Sequence, residues 1–174
     1  MVKNLFLPLL GVVVFIIAVG WFSKNYSRVN LKSQNPVSLE TPGPLTKIKE
    51  IKIGTILVKA EVADTLDKRV KGLSGRNSMD WDSGMLFVFE TKDTIPTFWM
   101  KDMLFPLDIL WISNGKIIKI DKNVPLPASG SSDQSLPTYT TSIPVEYVLE
   151  VNAGFADKYN VKVGDTVDFV NTEK

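Results

Sequence analysis

LDILWIS, then Asn114-Gly115, then KIIKID (residues 107–121) restricts the fold more than any other stretch of this chain. Both arms are dense in β-branched and aromatic residues. Asn-Gly accepts the two positive φ angles of a type I′ turn, the turn whose twist matches a pair of antiparallel strands. A hairpin is therefore expected here.

From Ile48 onward the pattern is mostly short strands. VKAEVA alternates apolar and charged residues, as in a half-exposed strand. DTLDKRVKGL breaks the alternation. Asp64 or Thr65 can cap a helix, Leu66, Val70 and Leu73 lie at helical spacing, and Gly72 supplies a stop. GMLFVFE and VEYVLEV read as strands, AGFADKYN as a helical turn, and VKVGDTVDFV as a turn and a closing strand. PLPASGSSDQSLPT is a surface loop. Many short strands and little helix predict a mainly β domain. The expected form is a compact β-sandwich of jelly-roll type, or a partly open barrel, with one or two short helices.

The amino terminus has a different character. LFLPLLGVVVFIIAVGWF, residues 5–22, carries no charge over 18 residues. At about 1.5 Å per residue it reaches roughly 27 Å, close to the ~30 Å of a hydrocarbon core. Its end, AVGWFSKNY, is a poor site for signal cleavage. Residues 1–23 therefore read as a transmembrane anchor, with a cleaved signal as the alternative. Residues 24–46 have few apolar side chains and three prolines, and read as a flexible linker. A chain of that length spans roughly 25–30 Å root-mean-square. Residues 47–174 form the domain. Lys24, Arg28 and Lys32 follow the anchor, and charge alone weakly favours a cytoplasmic domain.

Composition removes several chemistries. The chain has no Cys and no His. A Ser-His-Asp triad, a thiolate nucleophile and a His-rich zinc site are excluded. Any metal site would be built of oxygen ligands, and no metal or other cofactor is expected. The formal net charge of +1 offers no basic face for nucleic acid.

Several motifs occur in fixed order: RVKGLSGR (69–76), GMLFVFE, FWMKDMLFPLDILWI (98–112), VEYVLEVNAG and VGDTV. Together they resemble the DUF192 family, also called UPF0127, over about residues 54–170. The resemblance implies a compact β-rich fold of jelly-roll or sandwich type. It also implies a domain on the extracytoplasmic side, against the flanking charges. It supplies no reaction and no catalytic residues. Three positions depart from the family pattern. Ser74 stands where the family usually has Met, and Asp102-Met103 where it usually has Asn-Thr.

The candidate ligand-binding residues are Arg69, Arg76, Trp99, Lys101, Asp102 and Asp108. Asp108 shares a strand face with Leu110 and Ile112, so it needs a cation or several amides if that face is inside. Trp99 beside Lys101 and Asp102 could form a platform for a sugar, with the alternative that Trp99 is core. Arg69 and Arg76 could grip an anion or tie the helix to a carboxylate. Glu150 reads as an acid on a solvated face or at an edge. If it met Asp108 across the sheet, the two would form a general acid/base pair.

The expected protein is a membrane-anchored extracytoplasmic binding module for an envelope glycan, peptide or protein. A structural assembly partner and a carboxylate-dependent glycan enzyme are the alternatives. The apolar residues of FWMKDMLFPLDILWI are expected to build two central strands, pinned by Asp108.

Overall fold

A computed structural model describes residues 47–91 and 93–170. The anchor and linker readings lie outside the described residues. Among the described residues, no helix is long and apolar enough to cross a membrane.

The Asn114-Gly115 hairpin forms as its sequence requires. Asn114 and Gly115 have φ of 51° and 67°, and join β5 (Leu107–Ser113) to β6 (Lys116–Val124). Seven strands make the main sheet. In order across it they are β6, β5, β8 (Tyr147–Asn152), β3 (Ser83–Val88), β2 (Ile56–Ala63), β1 (Ile48–Ile53) and β9 (Val167–Val170). Among the described strands, only β2 and β3 pair in parallel. Helix α1 (Leu66–Lys71) bridges them; Thr65 caps its start, accepting from the Lys68 amide, and Gly72 ends it at φ 47°. The second helix, α2 (Phe155–Lys158), follows β8 after Gly154, whose left-handed φ of 83° favours glycine.

The sheet is curled into a half-barrel. Its two edges meet at one end only. There the Ile117 amide donates to the Asp165 carbonyl at 3.0 Å, and the Val167 amide to the Gly115 carbonyl at 2.9 Å. The concave interior holds Ile51, Val58, Leu110, Leu149, Val151 and Phe155. The opposite face is also covered, by α1, the loops, and a separate ribbon of β4 (Thr97–Trp99) and β7 (Thr138–Thr140). Met85, Phe87, Ile109, Trp111 and Val148 are buried there. The expected mainly β domain with two short helices is what forms. Its second layer is a short ribbon with loops, not a second full sheet.

Both faces of β5 are covered, and for that reason its first six residues are all buried. The expectation of two central strands from FWMKDMLFPLDILWI is corrected here. β5 lies between β6 and β8, next to the edge strand. Residues 97–99 belong to the ribbon, and the chain turns at Lys101-Asp102. Opposite Asp108 the β5–β6 register slips, and Asn123 takes a left-handed φ of 52°. The slip leaves the Asn123 amide without a ladder partner, and the Asp108 side chain takes it.

Candidate functional site

β8 carries the central observation. Glu150 pairs with Ile109 on one side and Met85 on the other. It therefore points to the ribbon-covered face, into the second core. It is 5% exposed. Burial alone pushes its carboxyl group up to about 8. Among the described residues no charge or hydrogen bond lowers it again. Its oxygens are nonetheless not sealed in, since among the described residues no fully buried side-chain polar atom lacks a partner. They open onto a pocket.

That pocket has a volume of about 240 Å³. α1 and the Gly72–Ser74 segment form one wall, and Pro96–Trp99 forms the other. Phe87, Phe89, Phe98 and Met103 make the interior apolar, with Glu150 as its acidic group. Phe98 is fixed by edge-on contacts with Phe87 at 4.8 Å and Trp111 at 5.5 Å. Such a wall is rigid, because each ring is held by another.

The candidate residues separate by location. Trp99 and Arg69 line the pocket. Trp99 is 51% exposed, so the alternative of a core Trp is set aside. Arg69 acts as a strut. Its guanidinium donates to the Val88 carbonyl at 2.9 Å and the Asp64 carbonyl at 3.1 Å, and lies 5.6 Å from the Phe89 ring centre. Among the described residues no carboxylate ties it, so of its two readings the tie from the helix to a carboxylate does not form there.

The other four do not line the pocket. Arg76 makes a two-pronged ion pair with Glu61 on β2. Lys101 pairs with Asp133, which raises its pKa. Asp102 is exposed in the turn at φ 56°, and its carbonyl accepts from the Gly75 amide at 2.8 Å. The left-handed backbone gives a physical reason for an Asn at that position, since Asn adopts it most readily among non-glycine residues. The three departures from the family pattern thus divide. Asp102 is a matter of backbone shape, whereas Ser74 and Met103 both line the pocket.

Asp108 faces the interior of the half-barrel, with no cation within 4.0 Å among the described residues. One oxygen accepts from the Asn123 amide at 2.7 Å and the Gly154 amide at 3.1 Å, and the other from the Ala156 amide at 2.8 Å. It holds the start of α2 against the sheet, a structural role. Asp108 is paired with Val151, and Glu150 with Ile109, so the two acids point to opposite faces. The expected acid/base pair does not form.

Glu150 is the residue that sequence reasoning undervalued. The available signal was an acid inside YVLEVN, an otherwise apolar run; a run that apolar belongs to a strand covered on both sides.

The family described as DUF192, uncharacterized ACR, matches residues 47–169. The chain belongs to the DUF192 family. Two solved structures share its fold with a TM-score of 0.62. One is a candidate transcription regulator (R01717) from Sinorhizobium meliloti 1021, 29% identical, with 71% of this chain and 94% of that one covered. The other is a protein of unknown function from Novosphingobium aromaticivorans DSM 12444, 26% identical, with 78% and 91% covered. No curated protein matches the chain. For this DUF192 domain the pocket geometry therefore has to carry the functional argument.

Proposed function

We propose that this DUF192 domain is a binding module, held at the cell envelope by an amino-terminal membrane anchor, whose pocket receives part of a glycan, peptide or protein. One observation carries this reading: a buried acid without a partner among the described residues opens onto an apolar, aromatic-walled pocket. A concave apolar site with very few polar groups is the common form of a ligand pocket. A carboxyl group left unpartnered in such a place costs stability, and a ligand that satisfies it recovers that cost. Trp99 at the rim offers a flat face for stacking. The anchor rests on the uncharged residues 5–22. The extracytoplasmic placement rests on the family resemblance.

A carboxylate-dependent enzyme finds less support. Paired catalytic acids stand roughly 5–10 Å apart around a shared space. Asp108 is on the far side of the sheet and Asp102 is in an exposed turn. A protein-contact reading has one observation in its favour. Leu66 and Val70 on α1 are 68% and 72% exposed, and Val70 borders the pocket. An apolar collar of this kind suits a partner surface.

The test is thermal melting of the full chain with envelope glycans and short peptides. A ligand that binds only the folded state stabilises by about 2.7 kcal/mol at a hundredfold excess over Kd. A shift that disappears in a folded Trp99→Ala variant supports the pocket. No shift across the panel moves the reading to a protein partner, to be sought by crosslinking the full chain in its membrane.

A further inference from the structure

We infer that the group this pocket is built to hold is a primary ammonium on an apolar stem, of the kind a lysine side chain presents, with the nitrogen at Glu150 and the stem between Phe87, Phe98 and Met103. The inference rests on the reading of the pocket as a ligand site and names the chemistry of what enters it.

A sugar ring needs several hydrogen-bond partners. Beside Glu150, the walls carry Ser74, whose hydroxyl already donates to the Lys101 carbonyl at 3.0 Å, and Thr97, which is exposed. Arg69 and Lys71 also border the pocket from α1, Arg69 with its guanidinium held by the Asp64 and Val88 carbonyls and Lys71 exposed; the rest of the lining is aromatic, aliphatic or thioether. A guest that fits is apolar over most of its length and polar at one end.

The sign of that end follows from the charges around Glu150. α1 presents Arg69, held by the carbonyls of Asp64 and Val88, and Lys71, which is exposed. On β2, Glu61 is matched by Arg76. On β6, Asp121 accepts from Lys119 and from the Trp111 indole. In the turn after β4, Lys101 is matched by Asp133, and Asp102 is exposed. β7 carries Tyr139, whose pKa is raised mainly by burial. β3 and β5 place only Met85 and Ile109 beside Glu150. Glu61, Asp121 and Asp133 thus each have a cation and Asp102 faces solvent, whereas Glu150 is buried and has no cation among the described residues. A carboxylate among aromatic rings attracts an ammonium twice over, through direct charge and through the ring faces.

The test uses the full chain and three probes: hexylammonium, the neutral hexanol of matching stem, and hexanoate. Binding is read by titration calorimetry and by Trp fluorescence. At pH 8, hexylammonium should bind at least tenfold tighter than hexanol, and hexanoate should not bind. Glu150→Gln should erase the preference while hexanol binding remains. In the native chain the Kd for hexylammonium should fall about tenfold per pH unit from pH 6 to 8, then level, because Glu150 must ionise to receive the cation. Hexanol binding should be flat. This pH series stands even if the Gln variant fails to fold. Hexanol binding as well as hexylammonium, with no pH dependence, overturns the ammonium assignment and leaves the pocket. No binding by any probe overturns the pocket reading with it. Nα-acetyl-lysine methylamide against its norleucine counterpart identifies the source. A peptide side chain is indicated if the lysine derivative outbinds hexylammonium, and a free amine if it does not.

Discussion

The Asp108 carboxylate accepts a hydrogen bond from the Ala156 amide at 2.8 Å, tying the sheet to the first turn of α2 across 48 residues of sequence. With the Asn123 and Gly154 amides it satisfies three donors that the fold would otherwise bury. A negative group at a helix start is also favoured by the helix dipole.

Asp108→Asn should therefore destabilise strongly. The amide keeps one acceptor oxygen and turns an N–H donor toward a backbone N–H. Losing a charge-assisted bond and leaving one donor unpaired costs about 2–4 kcal/mol. Urea unfolding measures it. Responses to pocket ligands should persist, because Asp108 lies on the other face. A change below about 1 kcal/mol would contradict the structural role.

Glu150 makes stability depend on pH. Its carboxyl group is raised from 4.5 to about 8 in the folded state, by burial. Between those values the folded protein holds a proton that the unfolded chain has released. Stability from this group should thus be greatest below pH 4.5 and decline by up to about 1.4 kcal/mol per pH unit until pH 8. Glu150→Gln should remove that decline and stabilise the domain above pH 8. Comparing the melting of both proteins from pH 5 to 9 isolates the effect. Parallel profiles would show that Glu150 is not desolvated.

Gly84→Ala should damage the same strand from behind. A Cβ at Gly84 would meet the Glu150 carbonyl oxygen at 2.8 Å, with Leu149 and Val58 side chains at 3.1 and 3.2 Å. The nearest atom is backbone, so β3 and β8 must separate. Overpacking of this type costs about 1–3 kcal/mol. Denaturant unfolding of the variant should show it; native stability with native backbone amide shifts would refute the close approach.

The sequence was most informative where structure is local. Asn114-Gly115, Thr65 and Gly72 act on residues beside them, and their turn and caps appear as expected. The face of Asp108 also followed from strand alternation. Its partners did not, because the Gly154 and Ala156 amides reach it only through the pairing of β5 with β8. Glu150 failed for the same reason. Whether an acid in YVLEVN meets water depends on β3, β5 and the ribbon, and the ribbon joins residues 97–99 to residues 138–140. Trp99 and Phe98 look alike in sequence, yet one is half exposed and the other packs into a ring cluster.

Arg76 grips a partner that lies in line with the pocket acid. Glu61 pairs with Met85, and Met85 with Glu150, so one row across the sheet carries two carboxylates separated by a methionine. At about 4.8 Å per strand they stand roughly 10 Å apart. Arg76 grips both oxygens of Glu61, with the second contact at 2.9 Å, and thereby holds the chain after α1 against β2. The two side chains are 34% and 25% exposed, so solvent weakens the pair. Arg76→Ala should cost about 1–2 kcal/mol, more than an open surface pair would. Arg76→Lys should restore only part of it, because an ammonium cannot match both oxygens. A double-mutant cycle with Glu61→Gln should give a coupling near 1 kcal/mol. Additive losses would mean that the fork contributes nothing beyond its separate side chains.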